Sequence, residues 1–463
     1  MAASLSKFEI KETQQQYLVI LTGSYFISGF FWVFMSLGSV KLGEESVSTF
    51  FLSIIVLMLS NGVWEILTGW YADKFKRRFS ISLGFFICFA GFLLMGLAAF
   101  IPSSQAPDQV NVEQGARILL WLAGVTVWSL GPALLSGAQE AWLVDRCNFL
   151  SASPPEPLGN VFKTAARLGV IAKALGALIC FFVLFLLLDN VADGKTMSKE
   201  LEARLQLAFS LTAGLAAFSS VWLGYYSLRL QEEYWTDPKY QSEESLLNFL
   251  VMGIIDLWKV PYRWFTLAFI GATILNYLLS STAWAYLGYK ETFDVSGKNL
   301  KSQHIVGGII IIELVAGYLS KAFAKRIDLI KQPQLRMPVA SLMYLIAVLP
   351  LYLIFFGQNH PNVFLFVLIA ATFLFRTAHA SVFGTLNAIG QLWIKSDERR
   401  ATLISMSSAL AAFFMAIAFI IVYYSRYNSD VELGIPFSWR YITLPCILML
   451  AVGGYLVARG VKD

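Results

Sequence analysis

Long apolar segments, each about 20 residues and separated by mostly short polar stretches, recur twelve times along the chain. About 20 apolar residues in a helix cross the hydrocarbon core of a bilayer, whereas β-barrel strands show alternating runs of about 10 residues. The pattern therefore predicts an all-α integral membrane protein with twelve transmembrane helices. The predicted spans are residues 17–40, 49–71, 79–101, 118–144, 168–188, 207–228, 264–287, 305–324, 338–357, 363–386, 402–424 and 441–457.

The longest connection lies in the middle of the chain, at residues 229–263. It has charged ends and an apolar stretch from Leu246 to Ile255, which suits an amphipathic helix on the membrane surface. A buried thirteenth segment is the alternative. We therefore divide the chain into a six-helix bundle at 1–228, a cytoplasmic linker with an interfacial helix at 229–263, and a second six-helix bundle at 264–463.

Composition and charge support the membrane prediction and orient the chain. Charged residues make up only 14% of the chain, against about 25% in soluble proteins. Of the 35 Lys and Arg residues, 23 lie on one side of the predicted spans and 10 on the other, and Lys173 and Arg376 lie within spans. Because positive charge favours the cytoplasmic side, we expect both termini in the cytoplasm and a multi-pass protein of the inner membrane.

An internal repeat relates the two bundles. Residues 65–78 and 313–326 share the order Glu, Gly at i+4, an aromatic residue, then Phe and a basic pair, at a constant offset of 248 residues. One copy ends span 2 and the other ends span 8. This is the pattern of a duplicated six-helix unit, whose halves are related by an axis along the membrane normal.

The first copy also carries a recognisable motif. Residues 69–78 read Gly-Trp-Tyr-Ala-Asp-Lys-Phe-Lys-Arg-Arg, which resembles the loop 2–3 signature of the major facilitator superfamily, Gly-x-x-x-Asp-(Arg/Lys)-x-Gly-Arg-Arg. Lys76 replaces the second glycine of the signature. Residues 136–145, and residues 400–402 with Asn387 upstream, are similar to weaker patterns in bacterial members. The resemblance implies two bundles with pseudo-two-fold symmetry and secondary active transport by alternating access.

The same resemblance suggests a gate at the cytoplasmic end of the first bundle. In the family, the motif carboxylate, here Asp73 after Gly69, meets the N-terminus of span 11 in the outward-facing state. Arg77 or Arg78 would then pair with Asp145 at the end of span 4. A network of this kind locks one state and opens in the other. The alternative is that the basic residues only orient the chain in the membrane.

Ionisable residues inside predicted spans are the candidates for proton coupling or substrate binding, since such groups are costly at bilayer depth. They are Glu65, Glu140, Lys173, Glu313, Arg376 and His379. Arg376 suits an anionic group on the substrate. Static pairing, for example of Glu140 with Lys173, is the structural alternative.

These observations favour a proton-coupled transporter of a small molecule, anionic or amphiphilic. The resemblance to efflux-type members of the family implies a slight preference for export. Span 5 keeps Gly169 and Gly176 but lacks the proline of the family's export motif, so proton-coupled uptake of an anionic nutrient or siderophore stays open. A non-transporting sensor or scaffold is the alternative from another class. We expect a monomer that is not an enzyme, with no catalytic residues, metal, cofactor or nucleic-acid partner; the four scattered cysteines predict no zinc site.

Overall fold

A computed structural model describes most of the first half of the chain and three long helices of the second. The described residues are 2–42, 46–101, 107–150, 158–188, 199–232, 245–259, 262–289, 292–295, 298–301, 400–427 and 434–460, with isolated positions between 311 and 386, among them Phe375 and His379. Most of predicted spans 8, 9 and 10 lies outside the described residues, including Glu313 and Arg376.

The six predicted spans of the first half correspond to seven helices, because span 4 is divided in two. Helices are numbered here in chain order among the described residues. They are α1 (Ala2–Leu42), α2 (Ser46–Lys74), α3 (Arg77–Leu97) with a 3₁₀ turn at Ala98–Phe100, α4 (Pro107–Leu135), α5 (Ala138–Leu150), α6 (Leu158–Leu188) and α7 (Lys199–Ser227).

The linker and the second half contribute four described helices and one feature that the sequence did not predict. The helices are α8 (Leu246–Trp258), α9 (Tyr262–Tyr289), α10 (Arg400–Tyr427) and α11 (Gly434–Gly460). The unpredicted feature is an antiparallel hairpin of β1 (Thr292–Val295) and β2 (Lys298–Lys301), which follows α9.

The described helices have the length and surface expected of membrane spans. Among the described residues, seven helical segments are long and apolar enough to cross a bilayer, with α4 and α5 together forming one of them. Large apolar side chains also face outward, as Leu186 and Phe218 do with 75% and 73% of their surface exposed. An outer surface of this kind is suited to lipid and not to water. The described part of the chain thus confirms the prediction of a helical membrane protein.

Span 4 is not the continuous helix at 118–144 that the sequence predicts. It consists of α4 and α5, which meet at Ser136 and Gly137, and Gly137 has a φ of 73°, which glycine adopts without a steric penalty. Pro132 lies inside the last turn of α4 and has no N–H to donate. The hydroxyls of Thr68 and Ser80 donate to the carbonyls of residues 133 and 134 at 2.9 Å, so other helices satisfy the acceptors that the break exposes.

The linker contains the predicted amphipathic helix, α8. The hydroxyl of Ser245 caps it by accepting from the backbone N–H of Asn248 at 3.3 Å. Leu257 packs against Met406 of α10 and Tyr262 of α9, and an opposite apolar stripe is exposed. That stripe consists of Leu247, Val251, Ile254, Ile255 and Trp258. Its position on the membrane surface stays a prediction.

The two halves touch along α2 and α10 and between α1 and α9. The rings of Phe51 and Phe419 lie 6.4 Å apart, and those of Trp32 and Tyr277 lie 5.4 Å apart. The hydroxyls of Thr266 on α9 and Ser407 on α10 are 3.1 Å apart within the second half. These contacts surround a space between the halves.

Candidate functional site

A cavity of about 320 Å³ lies between the two halves. Side chains from α1, α2, α3, α4, α5 and α6 line one side, and residues of α9 and α10, with His379, line the other. Its volume is at the lower end of the range for small-molecule sites.

Four of the six intramembrane ionisable residues singled out in the sequence line this cavity together. They are Glu65, Glu140, Lys173 and His379. The other two, Glu313 and Arg376, lie outside the described residues, so their roles stay predictions.

Glu65 of α2 lies at the contact between the halves. Its side chain is buried, and the side chains of Asn61, Ser136 and Ser405 approach its carboxyl. Ser136 belongs to the break in span 4, whereas Ser405 belongs to α10 in the second half. The carboxyl of Glu65 therefore contacts side chains of both halves. Its contact with Ser405 would break if the two halves moved apart at this point.

Glu140 occupies the first turn of α5, beside the break. The carbonyl of Gly137 accepts the first hydrogen bond of α5, from Ala141 at 2.9 Å, so Gly137 is the N-cap and Glu140 is the third helical residue. The backbone N–H groups of Gly137 and Glu140 donate to the carboxyl of Glu140. A glutamate at this position satisfies helix N-terminal donors and interacts favourably with the helix dipole.

Lys173 and His379 complete the ionisable lining, and both contact aromatic rings. The ammonium of Lys173 lies 5.4 Å from the ring centroid of Trp32. The ring of His379 stacks on Phe375 at 6.1 Å. Cation–π contact with Trp32 stabilises a lysine cation where water is scarce.

Three polar residues of the cavity were not predicted from the sequence. The indole Nε1 of Trp128, the amide Nε2 of Gln139 and the hydroxyl of Thr273 are buried and have no hydrogen-bond partner among the described residues. One carboxyl oxygen of Glu65 is in the same situation within the described ranges. Buried polar atoms without partners are uncommon, and a ligand is one way to satisfy them.

A buried ion pair lies at the start of α3, where the sequence motif ends. Arg77 and Asp145 form a salt bridge, and the side chains of both are almost completely buried. Of the two arginines proposed as partners of Asp145, Arg77 is thus the one that contacts it. Lys76, which replaces the motif glycine, has an extended backbone with a φ of −60°, so this turn does not require glycine.

Arg78 contacts a residue that the sequence analysis missed. Its backbone N–H donates to the carboxylate of Glu232 at 2.8 Å, and its guanidinium Nε lies 3.7 Å from the other oxygen. Burial raises the pKa of Glu232, and this effect outweighs the backbone hydrogen bond and the nearby cations of Arg77, Arg78 and Lys76, which lower it.

The residue before Glu232 ties the linker to α5. The indole of Trp142 donates to the backbone carbonyl of Gln231 at 3.1 Å, and the guanidinium of Arg146 donates to the Gln231 side chain. Arg146 also donates to Thr13 of α1 at 3.2 Å. We call Arg77, Arg78, Asp145, Arg146, Gln231 and Glu232 the ion-pair cluster. Gly69 is buried in α2, and the side chain of Asp73 lies outside what the structure describes.

Comparison with solved structures places the whole chain on a known architecture. A bacterial homologue of the iron transporter ferroportin, in an outward-facing state, aligns with a TM-score of 0.63 and 13% identity over 97% of this chain and 100% of its own. The E. coli fucose:proton symporter aligns at 0.60 and 15% identity, over 96% and 98% of the two chains. The E. coli xylose transporter, in a partially occluded inward-open conformation, aligns at 0.60 and 12% identity, over 97% of each. No protein-family model and no curated protein matches the sequence.

Proposed function

We propose that this chain, whose fold is that of the major facilitator superfamily, is a secondary active transporter that moves a small molecule by alternating access. The observation that carries the proposal is the cavity between the halves, into which Glu65, Glu140, Lys173 and His379 all face. Ionisable side chains at bilayer depth are costly, and they mark substrate or proton pathways in membrane proteins. The fold supplies two halves that can rock about such a cavity.

Proton coupling is the second part of the proposal, and Glu65 and Glu140 are its candidate carriers. Both carboxyls face a largely apolar cavity, where an ionised carboxylate is expensive and protonation removes the charge. Glu65 lies between Ser136 of one half and Ser405 of the other, so its protonation changes a contact that links the halves. Proton binding can then bias the equilibrium between two conformations.

The ion-pair cluster supports a gate at the cytoplasmic face. The excess of Lys and Arg on this side favours a chain with both termini in the cytoplasm of a bacterium, embedded in the inner membrane. Arg77 and Asp145 join α3 to α5, and Glu232 joins α3 to the linker between the halves. The ion pairs of such a buried network are either formed or broken, which gives the two discrete states that a switching element requires.

Distance measurements between the halves test alternating access without knowledge of the substrate. All four native cysteines are buried, so spin labels would attach selectively to introduced ones. One pair replaces Phe100 and Tyr424, which are exposed at the outer ends of α3 and α10, and the other replaces Phe149 and Arg459 at the inner ends of α5 and α11. We expect two populations whose outer and inner distances change in opposite directions between pH 5.5 and about 8.

The double variant Glu65→Gln/Glu140→Gln provides the coupling control. Its populations are expected to lose the part of the pH response over the same range that Glu65 and Glu140 supply, because amides do not titrate. A single population for both label pairs, unchanged by pH in the wild type, would instead support the non-transporting scaffold.

A further inference from the structure

We propose that the substrate is a small amphiphilic carboxylate whose anionic group binds at the N-terminus of α5, in exchange with the carboxylate of Glu140. The inference rests on the proposed transport function and names its substrate class. It depends on the break in span 4, on unpartnered donors beside that break, and on the apolar wall opposite.

The break directs a helix N-terminus into the cavity. Ser136, Gly137, Gln139 and Glu140 all line the cavity, and α5 continues from there for 13 residues. The first N–H groups of a helix lack partners within the helix and carry partial positive charge, which makes this end an anion site. In discontinuous helices of transporters, such ends point at anionic groups of substrates.

The side chains around this N-terminus are also donors. The amide Nε2 of Gln139, a residue only 3% exposed, and the indole N–H of Trp128, at 5% exposed, have no acceptor among the described residues. The hydroxyl of Thr273 approaches from the other half and is likewise unpartnered in the described part of the chain. With the ammonium of Lys173 in the same lining, this set matches the several acceptor lone pairs of a carboxylate.

The remainder of the cavity is suited to an apolar body. Phe265 and Phe269 of α9 face it from one half, and Leu57, Met58 and Phe85 face it from the other. Aromatic and aliphatic walls with a few convergent polar groups are the usual composition of a small-molecule site. An aryl or short alkyl carboxylate fits both regions within about 320 Å³.

Glu140 already occupies the position that the substrate carboxylate needs. When ionised, it accepts from the N–H groups of Gly137 and Glu140 and repels a second anion. When protonated, it loses its charge and binds these donors weakly, so the substrate carboxylate takes them. One proton therefore binds with each substrate anion, which predicts symport and favours the uptake alternative over export.

The other titratable and charged groups that face the cavity are not placed on this helix end. They are Glu65 on α2, Tyr25 on α1, Cys88 on α3, Lys173 on α6, Tyr277 on α9 and His379. Tyr17 of α1 also lies within electrostatic range of Glu140. Glu140 is the acidic residue in the first turn of α5. The competition with a bound anion is therefore assigned to Glu140.

Calorimetric titration of the purified full-length protein tests the substrate class with three isosteric probes. Benzoate is an anion, benzyl alcohol is neutral and benzylamine is a cation between about pH 6 and 8.5. We expect benzoate to bind best, with a dissociation constant that rises about tenfold per pH unit above the titration of Glu140, because one proton is taken up per anion. Preferential binding of benzylamine or benzyl alcohol, or no binding of benzoate, overturns the inference.

Variants separate the exchange mechanism from simple anion binding. Glu140→Gln should make benzoate affinity vary less than about twofold across the same pH range, whereas Glu113→Gln, a control on α4 outside the cavity lining, should keep the wild-type profile. Gln139→Ala should weaken benzoate about tenfold. A pH dependence that persists in Glu140→Gln overturns the exchange. These binding results do not depend on the distance measurements, so the substrate class can fail while alternating access holds.

Discussion

Arg78 donates its backbone N–H to the carboxylate of Glu232 at 2.8 Å, across 154 positions of the chain. Arg78 is the second residue of α3, and Lys76 at the N-cap makes no side-chain cap. Glu232 therefore acts as a distant capping residue for α3. Through this bond the start of the linker between the halves contacts the motif of the first half.

Removing this acceptor should destabilise the protein. We expect Glu232→Ala to lower the free energy of unfolding by about 1 kcal/mol, which is typical of a lost helix cap. Glu232→Gln keeps an oxygen acceptor and should cost about 0.5 kcal/mol or less. Thermal unfolding in detergent, followed by tryptophan fluorescence, measures both. Equal losses in the two variants would show that the charge of Glu232, and not its acceptor oxygen, stabilises the helix.

The stability contributed by Glu232 should also depend on pH. Because burial raises the pKa of Glu232, the folded protein holds this proton more tightly than the unfolded chain does. The resulting stabilisation is complete below about pH 4.3 and is lost as pH rises through the folded-state pKa. We therefore expect the melting temperature of the wild type to fall relative to that of Glu232→Gln as the pH rises above about 4.3. If the melting temperature of the wild type instead rose relative to that of Glu232→Gln, the neighbouring cations would affect the pKa of Glu232 more than burial does.

The sequence predicted the helical membrane fold and four residues that the cavity brings together, because intramembrane charge is costly and therefore visible in an apolar run. It did not predict Glu232. That residue lies in a polar stretch without periodicity or motif, and its partner is 154 positions away. A contact of that kind depends on tertiary packing, which local patterns do not encode.

The break in span 4 was missed for a different reason. The apolar run continues past Pro132, and proline is tolerated in membrane helices when neighbours satisfy the freed backbone groups. Only Gly137 marks the break, and an isolated glycine in an apolar run usually reflects close packing. The positive φ of Gly137 is a property of the folded backbone, which the residue type alone does not reveal. The sequence also did not predict three residues of the cavity lining, Trp128, Gln139 and Thr273. Each lies among apolar neighbours, which do not indicate which face of a helix points toward the cavity.

Disrupting the pair of Arg77 and Asp145 should have a large effect. Asp145→Asn leaves the buried guanidinium of Arg77 without its counter-charge, and a loss of about 3–5 kcal/mol is typical of such a change. The double variant Arg77→Met/Asp145→Leu removes both charges and should recover much of that stability. Chemical denaturation in detergent measures the free energy of unfolding of the wild type and of both variants. An effect below about 1 kcal/mol for Asp145→Asn would indicate that the pair is solvated.

Close packing of α1 against α6 provides the last prediction. A Cβ on Gly29 would collide with the backbone carbonyl of Lys173, and one on Gly176 with the carbonyl of Phe26, so each glycine lets the two helices approach. Because a backbone atom is the obstacle, a rotamer change cannot relieve either clash. We expect Gly29→Ala and Gly176→Ala each to cost at least about 2 kcal/mol and to displace Lys173 from the cavity.

Gly214 of α7 is the matched control for these two variants. Nothing lies within 4 Å of a Cβ added there, so Gly214→Ala should be neutral or stabilise the protein by up to about 1 kcal/mol through helix propensity. The three alanine variants are compared by thermal unfolding and by benzoate titration. If Gly29→Ala matched Gly214→Ala in both measurements, α1 and α6 would have to pack less closely than the structure indicates. If Gly29→Ala and Gly214→Ala were equally stable but differed in benzoate affinity, α1 and α6 would separate at little cost in free energy. Their spacing would then position Lys173 without contributing to the stability of the fold.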